Sequence, residues 1–101
     1  MKHVKGDLDE ILKEKYVVID FWAPWCGPCL AFSPVFEETA KKYQQITFAK
    51  CNIDENEGIT KSLGIMSIPT IIFFKNGKEV DRIIGTMPQD VFEGRVKSLL
   101  E

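Results

Sequence analysis

Hydrophobic positions along the chain follow two periods, which divide it into alternating strands and helices. From 16 to 22 nearly every residue is β-branched or aromatic (Tyr16, Val17, Val18, Ile19, Phe21, Trp22), which predicts a central strand covered on both faces. Phe32, Val35, Phe36, Thr39, Ala40 and Tyr43 then recur at helical spacing and mark the inner side of a long helix, from Cys26 to about Tyr43, with Pro34 inside it as a bend. Residues 46–52 read as a second strand, and 54–63 as a short helix that turns Ile59 and Leu63 inwards and stops at Gly64. Residues 70–75 and 79–84 pair as a hairpin around Asn76 and Gly77, a strong two-residue turn signal. Thr86, Pro88 and Gln89 mark the start of a last helix with Phe92, Val96, Leu99 and Leu100 inside; Gly94 within it costs about 1 kcal/mol. Ahead of the first strand, Asp7 and Glu10 have the spacing of a capping box, and Leu8, Ile11 and Leu12 share a face, so a helix is predicted there too. Residues 1–4 are a candidate edge strand.

A strand–helix–strand order implies parallel pairing through a right-handed crossover, and the hairpin adds antiparallel strands. The expected fold class is therefore α/β: a central mixed sheet of four to five strands flanked by about four helices on its two faces, in one domain spanning 1–101.

Composition narrows the function more than the fold. With 101 residues, 45% hydrophobic and 28% charged, the chain can bury a modest core. A net charge of −2 argues against a general nucleic-acid or membrane-surface binder. The N-terminal residues lack an apolar signal core, no run is long enough to cross a bilayer, and three cysteines is an odd number; a reducing cytoplasm is the expected compartment.

Cys26 and Cys29 carry the chemistry. Residues three apart at a helix start lie about 5–6 Å apart, within the span a disulfide needs. With Cys26 as N-cap and Pro28 in the first turn, the Cys29 N–H is the donor left to face the Cys26 sulfur. Gly27 has no side chain to screen that sulfur. A helix N-terminus stabilises an anion by at most about 2 kcal/mol, or roughly 1.5 pKa units, which brings the Cys26 thiol towards neutrality. Cys26 is expected to be the exposed nucleophile and Cys29 the buried resolving thiol. Half of a zinc site is the duller reading, but only Cys51 and His3 remain and neither has a partner at ligand spacing, so no metal is expected. A structural disulfide is the other, and it needs an oxidising compartment.

The ordered set of motifs resembles the thioredoxin family along nearly the whole chain. Asp20-Phe21-Trp22-Ala23-Pro24-Trp25-Cys26-Gly27-Pro28-Cys29 is similar to the family's signature. Pro34, the segment from Ala49 to Asp54, Ile68-Pro69-Thr70, Phe74-Lys75-Asn76-Gly77 and Gly85 fall in the family's order. The resemblance implies a thioredoxin-like fold and a general protein disulfide reductase: a monomer acting on disulfide-containing proteins and recharged by a thioredoxin reductase. No G-x-G-x-x-G fingerprint occurs, so no cofactor of its own is expected.

The same resemblance implies roles for single residues. Asp20, a carboxylate in an apolar strand, is the proton acceptor for Cys29, by way of a water; the blander reading is a salt-bridged or edge-exposed Asp. Lys50 on the neighbouring strand is a candidate partner for Asp20, or a solvated surface charge. Pro69 carries a cis bond that leaves the Ile68 backbone free for an extended substrate, or is an ordinary trans proline at the start of a strand. Trp25, Gly27, Pro28, Ile68, Pro69 and Gly85 are the expected substrate contacts. Met66 and Met87 belong either to an apolar rim around the sulfur or to the core. Trp22 is expected to pack beneath the site. Leu30 stands where many members carry Lys or Arg, and Cys51 is an extra thiol on a buried strand. The rivals are an oxidase or isomerase on the same fold, and a non-enzymatic partner subunit that uses only the fold.

Overall fold

The computed structural model describes residues Met1–Glu101. The chain runs through β1 (Lys2–His3), β2 (Tyr16–Trp22), α1 (Gly27–Lys42), β3 (Thr47–Asn52), α2 (Glu57–Ser62), β4 (Thr70–Lys75), β5 (Lys78–Ile84) and α3 (Gln89–Leu99). The five strands form one sheet in the order β1-β3-β2-β4-β5. β1 and β2 both run parallel to β3, β4 is antiparallel to β2, and β5 to β4. The mixed sheet of the sequence reading is present, with the candidate edge strand as its first member.

β2 takes the centre because it is apolar on both sides. Val17, Ile19 and Phe21 enter a core with Ala49, Ile59 and Ile72, which α2 and the N-terminal segment close. Val18 enters the opposite core with Phe32, Phe36, Phe73, Phe92 and Val96, beneath α1 and α3. Edge-to-face rings bind that second core: Phe32 meets Phe92 at 5.1 Å and Phe36 meets Phe48 at 5.4 Å between centroids. Each buried ring contributes about 1.5–3 kcal/mol. Strand alternation also puts Asp20 on the α1 side, in register with Lys50 of β3 and Ile71 of β4. The hairpin turns at Asn76 and Gly77 with φ of 53° and 81°, the positive values a two-residue connection requires.

Three elements differ from the sequence reading, the first two because polar side chains bond elsewhere. The first helix is only a 3₁₀ turn at Ile11–Lys13. Asp7 Oδ1 accepts from the Asp9 N–H at 2.9 Å and Glu10 pairs with Lys13, so no capping box closes. Leu8, Ile11 and Leu12 nevertheless pack on the α2-side core. The span 54–63 divides into a 3₁₀ turn, Ile53–Glu55, and α2. Between them Asn56, the N-cap residue of α2, is buried, and its side chain bonds the Gly6 N–H and the Val4 carbonyl rather than the N–H groups of the helix head. Ile59 is buried and Leu63 half-buried as expected, and Gly64 follows at φ +66°. α3 starts at Gln89 with Pro88 as N-cap, two residues beyond Thr86, and no side chain caps it. Three α-helices flank the sheet, not four.

Candidate active site

β2 ends at Trp22, and a tight turn delivers Cys26 to the head of α1, where its N–H bonds the Ala23 carbonyl at 3.1 Å. Cys26 is the N-cap, with φ −93° and ψ 104°, and its sulfur accepts from the Cys29 N–H at 3.2 Å. Pro28 in the first turn removes the competing donor, as its position in the sequence demands. Cys26 and Cys29 are joined as a disulfide across a Cα–Cα distance of 5.3 Å. The expected contrast in exposure is smaller than the sequence reading held: Cys26 is 6% accessible and Cys29 1%. The Cys26 sulfur is covered by its bonded partner and by the facing loop, with the Ile68 carbonyl oxygen 3.9 Å away.

That loop carries the cis Ile68–Pro69 bond. The Pro69 carbonyl accepts from the Gly85 N–H at 2.8 Å, which ties the end of β5 to the site; Gly85 has φ +90° and so favours glycine. Beside the loop lies a groove of about 330 Å³ lined by Trp25, Ile53, Ile65, Met66, Ser67 and Ile68. Met66 is 96% exposed and Trp25 68%, so Met66 belongs to the apolar rim, whereas Met87 is half-buried against the core. Gly27 and Pro28 are exposed at the helix head, and a Cβ on Gly27 would meet nothing within 4 Å.

Asp20 is fully buried, and neither carboxylate oxygen has a hydrogen-bond partner. It is neither salt-bridged nor at an edge. Burial pushes its carboxyl up to about 7, against the opposing pull of the Lys50 charge. Lys50 is nearly buried too, but its ammonium does not bond Asp20. It donates to Ser33 Oγ at 2.6 Å, lies 3.9 Å from a Glu37 oxygen and sits 4.8 Å above the Trp22 ring. Trp22 itself packs under the cysteine pair.

Two residues escaped the sequence reading. Asp54 accepts from the Trp25 indole N–H at 2.9 Å and pins the exposed ring; twenty-nine positions separate them, so spacing gave no sign of it. Ser33 holds Lys50 through side-chain geometry alone.

Cys51 is fully buried beneath the opposite sheet face, and burial pushes its thiol up to about 12. Alkylation of the reduced protein near neutral pH should label Cys26 first and leave Cys51 unmodified until denaturant is added, as read by peptide mass mapping. Equal labelling of native Cys51 and Cys26 would contradict this arrangement.

The family model for thioredoxin matches residues 1–98. A thioredoxin from Alicyclobacillus acidocaldarius is 46% identical over 89 residues, covering 87% of this chain and 85% of the relative. One from Mycoplasmoides gallisepticum is 43% identical over 100 residues, covering 96% of this chain and 100% of the relative. A solved structure of Plasmodium falciparum thioredoxin superposes with a TM-score of 0.92 at 33% identity, covering 97% of this chain and 98% of that one. Sequence, fold and a paired-cysteine helix head agree: the chain belongs to the thioredoxin family.

Proposed function

We propose that in this protein disulfide reductase Cys26 is the nucleophile, Cys29 the resolving thiol and Asp20 the acceptor of the Cys29 proton. The reductase activity itself follows from family membership, as do disulfide substrates and recharging by a thioredoxin reductase. One observation supports the division of labour above all: the Cys29 N–H points at the Cys26 sulfur, so the helix head favours negative charge on Cys26.

The reaction runs in two exchanges. The Cys26 thiolate attacks one sulfur of a substrate disulfide; a Cys26–substrate bond forms, and the other substrate sulfur leaves and takes a proton from solvent. Cys29 then gives its proton to the Asp20 carboxylate and attacks the Cys26 sulfur. The Cys26–Cys29 bond forms, the Cys26–substrate bond breaks, and the second substrate sulfur leaves as a thiolate that takes a proton from solvent. Two electrons pass from the protein to the substrate. The buried carboxyl suits this role because its pull on a proton lies near neutrality rather than in the usual carboxylate range.

Trp25, Gly27, Pro28, Ile68, Pro69 and Gly85 form the contact surface for an extended substrate segment. The groove beside Met66 offers apolar area for it, and Leu30, 51% exposed, adds no charge. Trp25→Ala should raise KM for protein disulfides about tenfold while leaving the reduction of a small aromatic disulfide within about twofold, a difference of about 1.4 kcal/mol of binding. Equal losses on both substrates would remove Trp25 from the contact surface.

The direct test of the reading is coupled turnover with a thioredoxin reductase on a protein disulfide, together with a redox titration of the cysteine pair. A potential well above that of the glutathione pool would favour an oxidase or isomerase instead. No helix is long and apolar enough to cross a membrane.

A further inference from the structure

Lys50 is the one charged side chain that acts on Asp20, yet its ammonium is turned away from it. Asp20 and Lys50 are in register on adjacent strands and both face α1. A buried ammonium beside a buried carboxylate would ordinarily close into an ion pair, since each is the nearest remedy for the other's lost solvation. Here neither Asp20 oxygen has a partner, and Lys50 Nζ instead donates to Ser33 Oγ at 2.6 Å. The Ser33 hydroxyl in turn donates to Glu37 Oε2 at 2.9 Å, one helical turn on, and the same oxygen lies 3.9 Å from Lys50 Nζ. The Trp22 ring, 4.8 Å from the ammonium, supplies a further attractive face. Three groups, Ser33 and Glu37 on α1 and Trp22 on β2, thus hold one charge off a neighbour that would otherwise take it.

We propose that Ser33 is a positioning residue for the resolving step: with Glu37 it anchors the Lys50 ammonium on α1, leaving the Asp20 carboxylate free to accept the Cys29 proton. The inference rests on the acceptor role given to Asp20 above. In register with Asp20 stand Lys50 from β3 and the apolar Ile71 from β4, and Lys50 is the charge that acts on it; Ser33 and Glu37 of α1 contact Lys50. If Lys50 closed onto Asp20, the carboxylate would be stabilised by a charge within contact range and would hold a proton less well near pH 7.

The test is a carbon-13 NMR titration of the Asp20 carboxyl in the oxidised protein, where Cys26 and Cys29 are joined and do not titrate. Ser33→Ala should lower the Asp20 midpoint by about 1 pH unit or more. Ser33→Thr, which keeps the hydroxyl, should restore it. Adding Lys50→Met to Ser33→Ala should abolish the downward shift. The pH profile of the resolving step in the Ser33→Ala protein should move to lower pH by the same amount. An unchanged midpoint in Ser33→Ala overturns the proposal, as does a downward shift that persists without Lys50. A shifted midpoint combined with a release rate indifferent to Asp20→Asn would keep the clamp and remove the acceptor role instead.

Discussion

Cys26→Ser should bring disulfide reduction down to background, a loss of at least about 10³-fold, whereas Cys29→Ser should leave the first attack intact and trap the substrate. The two variants separate because the sulfurs differ in setting. Cys26 Sγ accepts a backbone N–H at the head of α1, faces the Ile68 carbonyl and adjoins the exposed Trp25. Cys29, at 1% accessible, lies one turn inside and has no route to a large substrate. Rapid mixing of reduced Cys29→Ser protein with a protein disulfide should therefore accumulate a mixed disulfide visible by mass. A mixed disulfide formed by the Cys26→Ser protein instead would reverse the assignment.

Asp20→Asn should change both the stability and the rhythm of turnover. Burial raises the folded-state carboxyl from 3.8 to about 7. Between these values the folded protein binds a proton that the unfolded chain does not, so the stability tied to this group is full below about pH 4. It is lost as pH rises through about 7. At about 1.36 kcal/mol per unit the loss amounts to about 4 kcal/mol. An Asn at this position cannot ionise. Urea unfolding of the oxidised proteins should show the variant gaining on the parent from pH 4 to 7 by up to about 4 kcal/mol, with a constant difference above pH 8. A difference independent of pH would mean that Asp20 is ionised throughout. In turnover, the same substitution should slow release of the mixed disulfide by about 10²-fold and spare the first attack, as single-turnover kinetics would resolve. A slowed attack with unchanged release would refute the proton-acceptor role.

The path of the chain was legible wherever one period dominated. Val17 to Phe21, apolar on both sides, could only be a central strand, and Phe32, Phe36 and Phe92 recur at helical spacing on faces that do meet in one core. Asn76-Gly77 dictated its own turn, because few other pairs accept positive φ twice. The head of α1 was equally readable: Cys26, Pro28 and Cys29 leave a single N–H to meet the sulfur, and the bond is there. Where polar side chains competed for backbone groups, local pattern lost. Asp7 satisfied Asp9, Asn56 turned inwards to Gly6 and Val4, and two expected helices shortened to single turns or less than two.

By itself the sequence determined the strand and helix order and the spacing of the paired sulfurs, since each depends on contacts within a few residues; whether Asp20 would be buried without a partner or salt-bridged at an edge was left for the sheet order to decide. Only the tertiary structure decided what surrounds them. The Trp25–Asp54 bond spans 29 positions, the Pro69–Gly85 tie 16 and the Lys50–Ser33 contact 17, and each joins elements that only sheet order and helix docking bring together. Whether Lys50 would meet Asp20 or turn from it depended on a hydroxyl one helix away, and the direction of a long flexible side chain is set by its nearest acceptor, not by its place in the chain.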